Sequence, residues 1–340
     1  MNLKTQIIPY TLIFKQQVRT SKSVYHEHKI WYIRIFEEKG SDRFGIGECA
    51  PLPDLSCDYS AEYEAVLTCY CREFEQTGTI DFEKNRNFPS ILFGLETAIL
   101  HYKSKGYNFF DTPFSRSEKG IHINGLIWMG DYDFMIKQID NKLNKGFTCL
   151  KLKIGGIDFD EELKLLKYIR CKYSENEIII RLDANGAFSP LEALEKLKRL
   201  SDFQIHSIEQ PVKVGQWETL FELCANTPIP IALDEELTGI NSFSNKKKLI
   251  ENISPQYIVI KPSLHGGISG SSEWIKIAKE HNVGWWITSA LESNIGLNSI
   301  AQWCARFENP LYQGLGTGNL YENNHPLPLV VDKGLLWYRN

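Results

Sequence analysis

No stretch of this 340-residue chain approaches the roughly 20 consecutive apolar residues that a membrane-spanning helix needs. The opening residues, MNLKTQIIPYTLIF, are broken by polar side chains and Pro9 and lack the continuous apolar segment of a secretory signal. A cytoplasmic protein with no membrane partner is therefore expected. The eight cysteines (49, 57, 69, 71, 149, 171, 224 and 304) include no CxxC, so neither a disulfide framework nor a zinc site has its required spacing. Cys69 and Cys71 form a CxC with no second pair to complete a metal site. An excess of basic charge is missing too. With a formal charge of −4 the chain has no footprint for nucleic acid, and its one basic triplet, Lys246 to Lys248, reads as a solvated helix face. Low-complexity segments and Pro/Ser-rich linkers are also absent.

The remainder is ordinary globular sequence, 43% hydrophobic and 24% charged, and long enough for one large barrel and a smaller unit. From about residue 121 to 315, β-rich apolar runs alternate with amphipathic stretches. The runs are IHINGLIW (121–128), CLKLKI (149–154), EIIIRLDA (177–184), IHSIE (205–209), IPIALD (229–234), YIVIKP (257–262), GWWITSA (284–290) and LYQGL (311–315). Eight such runs point to a closed parallel sheet covered by helices. Between them, SPLEALEKLKRL carries a capping box of Ser189 and Glu192, with Pro190 at the first helical position. Leu191, Leu194 and Leu197 are expected to form its buried stripe, as Leu163, Leu166 and Ile169 are in the preceding helix. Residues 1–118 read differently, as three antiparallel strands followed by helices, which is an α+β unit. The tail, 320–340, has a strand-turn-strand pattern around Asp332, Lys333 and Gly334 and is expected to complete that unit; residues 119–319 form the barrel.

Five charged residues stand at the ends of successive runs: Lys153, Asp183, Glu209, Asp234 and Lys261. The intervals, 153 to 183 to 209 to 234 to 261, are 30, 26, 25 and 27 residues. A parallel βα unit repeats every ~25–35 residues, so each group falls at the C-terminal tip of its strand, the face where barrel enzymes keep their chemistry. Strand alternation puts Lys151 beside Lys153, and Arg181 and Asn185 beside Asp183. Asp183, Glu209 and Asp234 would then converge, and three unpartnered carboxylates repel one another unless a cation intervenes. An all-oxygen set without histidine suits Mg²⁺ or Mn²⁺ better than zinc. Glu235 and Glu236, next to Asp234, leave three readings open: ligand, support for a ligand, or exposed. A lysine base near neutral pH needs its pKa depressed by about 2–3 units, to which a metal ion and the Lys151 ammonium contribute. Proton abstraction beside a carboxylate is the implied chemistry, on a small-molecule carboxylate substrate.

The motifs KLK, RLDANGAF, IEQP, ALDEE and IKPS resemble the muconate-lactonising subgroup of the enolase superfamily. GIGECAPLP (45–53), TSALESNIG (288–296) and LGTGNLY (315–321) extend the resemblance over most of the chain. It implies a modified (β/α)7β barrel of TIM type under an α+β capping domain. It also implies Lys153 and Lys261 as the acid/base pair and Asp183, Glu209 and Asp234 as Mg²⁺ ligands. Lys151 and Asn185 are expected to shape the field, and Ser289 to contact a substrate carboxylate. The reaction implied is a metal-dependent carbon–oxygen lysis. The alternative, with a lysine on each face, is racemisation or epimerisation of N-acylamino acids or dipeptides. Epimerases of the subgroup carry an Asp-x-Asp near the eighth strand, and no such pair lies between Leu311 and Tyr321. Three further expectations concern loops and packing. Gly266, Gly267 and Gly270 form a tight turn whose N–H groups could face an anion. His26 and His28 lie in a mobile polar loop, and Trp285 and Trp286 pack on opposite faces of one strand.

Overall fold

The structure, a computed structural model, describes residues 3–19, 24–38 and 42–339. Strands β1 (Leu3–Arg19), β2 (Val24–Glu37) and β3 (Phe44–Cys49) pair antiparallel in that order. Helices α1 (Tyr63–Thr77), α2 (Phe82–Asn85) and α3 (Pro89–Ser104) follow. Trp31, Ile33 and Ile35 of β2 meet Leu67 and Phe74 of α1 and Ile91 and Leu95 of α3 in one apolar cluster. Both histidines of the HxH lie in β2 rather than a loop, and a register irregularity beside them breaks the strand's alternation, leaving His26 exposed and His28 buried.

The short β4 (Ile121–His122), in a separate sheet, leads into the barrel, which starts with β5 (Gly125–Ile127), followed by α4 (Tyr132–Asn144). The repeating units are β6 (Cys149–Lys153) with α5 (Phe159–Arg170), β7 (Ile179–Asp183) with α6 (Pro190–Ser201), and β8 (Ser207–Glu209) with α7 (Trp217–Asn226). Then come β9 (Ile231–Leu233) with α8 (Phe243–Ile253), β10 (Tyr257–Ile260) with α9 (Gly267–Glu280), and β11 (Gly284–Ile287) with α10 (Asn294–Cys304). Strands β5 to β11 form one parallel sheet in sequence order. The eighth run closes it through single parallel bridges, Thr288 with Gly314 and Ile123 with Gln313, rather than as a full strand. The fold is thus the expected barrel with an α+β cap.

Alternation along the strands builds two surfaces. Leu150, Leu152, Ile180, Leu182, Ile258 and Ile260 are fully buried in the large cluster beneath the helices. The residues between them line the interior, where Ala232, Val259 and Trp286 form a separate cluster. Trp285 belongs to the outer cluster, so the two tryptophans do pack on opposite faces. The capping box at Ser189 and Glu192 is present. The buried face of α6, however, is Ala193, Leu197 and Leu200, and Leu191 is 99% exposed. At 3.6 residues per turn Leu191 lies almost opposite Ala193, which takes it out of the stripe.

Two further corrections concern how the cap sits on the barrel. Lys246 is fully buried, unlike its exposed neighbours Lys247 and Lys248. It shares the inner face of α8 with Leu249, Ile250 and Ile253, and donates to Gly270 O (2.9 Å) and Glu273 Oε2 (3.0 Å). Glu273 also receives Arg86, which follows α2, at 2.8 Å. The glycine-rich start of α9 does face an anion, but one supplied by the chain itself. Glu96 of α3 accepts from Ile268 N (2.6 Å) and Ser269 N (3.2 Å), a carboxylate seated on a helix N-terminus. A Cβ on Gly267 would lie 2.4 Å from Glu96 Oε2, so only glycine admits this contact.

The tail, expected with the cap, divides. Residues near Tyr321 lie against β1, with Glu322 N donating to Ile13 O at 2.9 Å. Beyond them β12 (Leu329–Asp332) and β13 (Leu335–Tyr338) form the hairpin around Lys333 and Gly334, which pairs with β4 at the start of the barrel.

His28 gives this interface a pH response. It is 2% exposed, with its ring nitrogens 3.2 Å from Leu291 O and Pro51 O. Burial outweighs the pull of those carbonyls and lowers its pKa to about 4. The folded chain therefore holds fewer protons on His28 than the unfolded chain between about pH 4 and 6.5. Stability present above pH 6.5 is lost as pH falls through that window. Acidifying from pH 7 to 5 should remove about 2 kcal/mol through this group. Denaturant titration of the wild type and His28→Gln checks this: the stability gap between them should narrow by that amount.

Candidate active site

In β6 to β8 the strand register aligns Lys153 with Asp183 and Asp183 with Glu209, each at the last residue of its strand. Asp234 follows β9 and Lys261 follows β10 directly. All five point into the barrel mouth. One carboxylate oxygen each from Asp183, Glu209 and Asp234 lie within 4.8 Å of one another, and the three residues are at most 1% exposed. No other cluster of potential metal ligands occurs among the described residues, and the CxC of Cys69 and Cys71 sits in α1 as free thiols.

Ammonium groups surround the acids. Lys151 Nζ donates to Glu209 Oε2 and lies 3.1 Å from Asp183 Oδ2. Lys153 Nζ lies 3.2 Å from Asp183 Oδ2 and donates to Asn185 Oδ1 at 2.7 Å. On the other side, Lys261 Nζ donates to Asp234 at 2.7 Å. Burial alone would raise the Asp183 carboxyl, but the charges of Lys151, Lys153 and Lys261 outweigh it and hold the pKa well below the ordinary range. Glu209 goes the other way, to about 7: burial leads, Lys151 opposes, and Asp183 and Asp234 add to the rise. Lys151 and Lys261 are both lifted above the ordinary lysine range, because neighbouring carboxylates overcome the cost of burial. Both stay cationic at neutral pH.

The donor set fits a hard divalent cation. It consists of three buried carboxylates, and Glu209 Oε1 has no hydrogen-bond partner although it is sealed from solvent. Glu235 Oε2 is also unpartnered, while its Oε1 accepts from Asn185 Nδ2 at 2.7 Å. Glu236 turns away and accepts from Trp217 Nε1 (2.6 Å) and Gly215 N (3.0 Å). It therefore supports the loop rather than facing the trio.

A cavity of about 160 Å³ opens onto this cluster. Leu52 and Leu55 from the cap, Leu126 of β5 and Trp128 just after it, and Leu264 and Leu291 from later loops give it apolar walls. Ser289 also lines it, with its Oγ 2.6 Å from Thr317 Oγ1. Lys153 Nζ sits 5.9 Å from the Trp128 ring centroid. Two residues near the site were given no role by the sequence, although Arg181 was placed on the face of Asp183 and Gln210 lies in IEQP. Gln210 donates to Glu236 Oε2 (3.1 Å) and accepts from Glu236 N (3.2 Å), fixing the turn that bears Asp234. Arg181, fully buried one step below Asp183, stacks 3.9 Å over Trp286 in the barrel floor. A charged residue inside the apolar run EIIIRLDA was the available signal for the latter.

A cap over a barrel with acids and lysines at its strand tips defines an enolase-type enzyme. Residues 135–338 match the family described as enolase C-terminal domain-like, and the chain belongs to that family, whose enzymes use a divalent metal. Within it the chain falls in the o-succinylbenzoate synthase group, which are hydro-lyases. It is 43% identical to the o-succinylbenzoate synthase of Desulfotalea psychrophila, over 96% of each chain. The crystal structure of MenC from Desulfotalea psychrophila superposes with a TM-score of 0.86 at 39% identity, covering 99% of this chain and 100% of that one. A dipeptide epimerase from Enterococcus faecalis, complexed with Mg and L-Leu-L-Tyr, shares the fold at 19% identity. Its TM-score is 0.83, with 100% of this chain and 98% of that one covered.

Proposed function

We propose that the chain dehydrates 2-succinyl-6-hydroxy-2,4-cyclohexadiene-1-carboxylate to 2-succinylbenzoate, as a cytoplasmic step of menaquinone biosynthesis. The observation that carries this is the pair of lysines, Lys153 and Lys261, on either flank of a buried carboxylate trio in one apolar-walled cavity. Asp183, Glu209 and Asp234 would hold Mg²⁺, or Mn²⁺ in its place. When bound, that ion supplies Lewis-acid stabilisation to the substrate carboxylate as negative charge grows on its oxygens.

Lys153, as the neutral amine, takes the proton from the ring carbon bearing the carboxylate, and the C–H electron pair moves into the carboxylate system. Lys153, now an ammonium, returns that proton to the hydroxyl on the neighbouring carbon. The C–O bond breaks, water leaves and the ring becomes aromatic. Asn185 fixes the Lys153 amine by accepting from it. Lys261, kept cationic by Asp234, sets its charge against the planar anion from the opposite side. Lys151 bridges Asp183 and Glu209 and contributes charge rather than proton transfer. Leu52, Leu55 and Trp128 suit a flat carbocycle, and Ser289, which lines the cavity, would contact a substrate carboxylate. Epimerisation has less support, because the stretch from Leu311 to Tyr321 offers no carboxylate for a dipeptide ammonium.

Incubating the Mg²⁺-loaded protein with the cyclohexadiene substrate tests the proposal. Aromatic absorbance should grow with turnover, and folded, metal-loaded protein that gives no such signal contradicts it.

A further inference from the structure

The loop after β11 contains Leu291 at φ +66, a left-handed backbone that a leucine adopts only when its surroundings impose it. Its side chain is one wall of the cavity. Five polar groups hold the turn. Glu292, fully buried, accepts from Ala290 N (2.7 Å) inside the loop and from Ser263 Oγ (2.5 Å), which follows Lys261 by two residues. Glu48, fully buried at the end of the cap sheet, accepts from Ser293 N (2.7 Å), Ser293 Oγ (2.5 Å) and Gly296 N (2.8 Å). Tyr32 OH donates to Ser293 Oγ at 3.1 Å, Tyr321 OH donates to Leu291 O at 2.5 Å, and the His28 ring lies 3.2 Å from that same carbonyl. Both side chains approach Gly296: a Cβ there would lie 2.7 Å from Glu292 Cβ and 3.0 Å from Glu48 Oε2.

We infer that Glu292 and Glu48 are positioning residues for the reaction. Glu292 ties the loop of Ser289 to Leu291 to the loop of Lys261, and Glu48 locks that pair to the cap. Neither touches the reacting atoms. The cap contributes Leu52 and Leu55 to the same cavity, so its seat and the strained wall are set by one hydrogen-bonded unit. A buried carboxylate with every oxygen engaged by backbone or hydroxyl donors is a rigid link, since losing it leaves buried donors unmet. The inference rests on the proposed dehydration for its kinetic readout, but the link itself has a readout that needs no substrate.

Glu48 acts only on the Leu291 side, so Glu48→Ala should raise KM about tenfold with kcat within threefold. Glu292 reaches both loops, so Glu292→Ala should raise KM and lower kcat about tenfold each, with partial rescue in Glu292→Gln. A merely structural role would lower the folded fraction, reducing kcat at unchanged KM. Hydrogen exchange distinguishes failure of this inference from failure of the functional proposal, because it reads the loops without turnover. Amides 263–265 and 289–293 should both exchange at least tenfold faster in Glu292→Ala. If that variant does not fold, Gly296→Ala, which drives a methyl against the Glu292 stem and the Glu48 carboxylate, should show the same paired loss. Unchanged KM in both glutamate variants, or exchange accelerated in only one loop by Glu292→Ala or Gly296→Ala, overturns the inference.

Discussion

Lys153→Ala is expected to lower kcat by about 10³-fold or more, the upper range for a positioned general base and about 4 kcal/mol of barrier. Binding of 2-succinylbenzoate should change only a few-fold, because the apolar walls belong to other residues. The carboxylate trio also keeps a cation beside it, since Lys151 still lies 3.1 Å from Asp183. Lys153→Arg should not rescue, as a guanidinium stays protonated and cannot accept the proton. Steady-state kinetics paired with calorimetric binding of the product checks both halves. A Lys153→Ala enzyme within tenfold of wild type assigns the base elsewhere.

Metal removal should have an effect of similar size. Chelation is expected to reduce turnover to background, with recovery on adding Mg²⁺ or Mn²⁺. Saturation at a hundred times Kd should stabilise the fold by about 2.7 kcal/mol, or roughly 4 °C in Tm for a chain of this length. Glu209 is the most exposing position to change. It lies between Asp183 and Ala232 in the register, is fully buried, and carries a carboxylate oxygen with no hydrogen-bond partner. Glu209→Gln removes that charge and leaves Lys151 with Asp183 alone. Metal affinity should fall at least about a hundred-fold, measured by titration against a fluorescent competitor. Unchanged affinity would remove Glu209 from the ligand set.

The residues of the trio were legible because strand repetition is local: a 25 to 30-residue period and a two-residue alternation suffice to bring Asp183, Glu209 and Asp234 to one rim. What escaped depends on how distant segments dock. Glu96 looked like one polar residue in the helix FPSILFGLETAIL, yet an acid in so apolar a stretch must find donors, and it finds them 172 residues away. Lys246 read as solvated because neighbouring lysines are, while α8 turns it inward toward Glu273. Leu191 was misplaced by counting a three-residue spacing from the wrong start. The tail hairpin is readable as a hairpin, but its partner, β4, is only two residues long and leaves almost no periodic signal. Glu48 and Glu292 stand inside recognisable motifs whose chemistry is invisible until the cap sits on the barrel.

The most direct measurement is a crystal structure with Mn²⁺ and 2-succinylbenzoate, phased to show the ion by its anomalous scattering. One ion should lie at ~2.1–2.2 Å from an oxygen of each of Asp183, Glu209 and Asp234, with Lys153 and Lys261 on opposite faces of the product ring. An ion bound elsewhere, or both ammonium groups on one face, would contradict the mechanism.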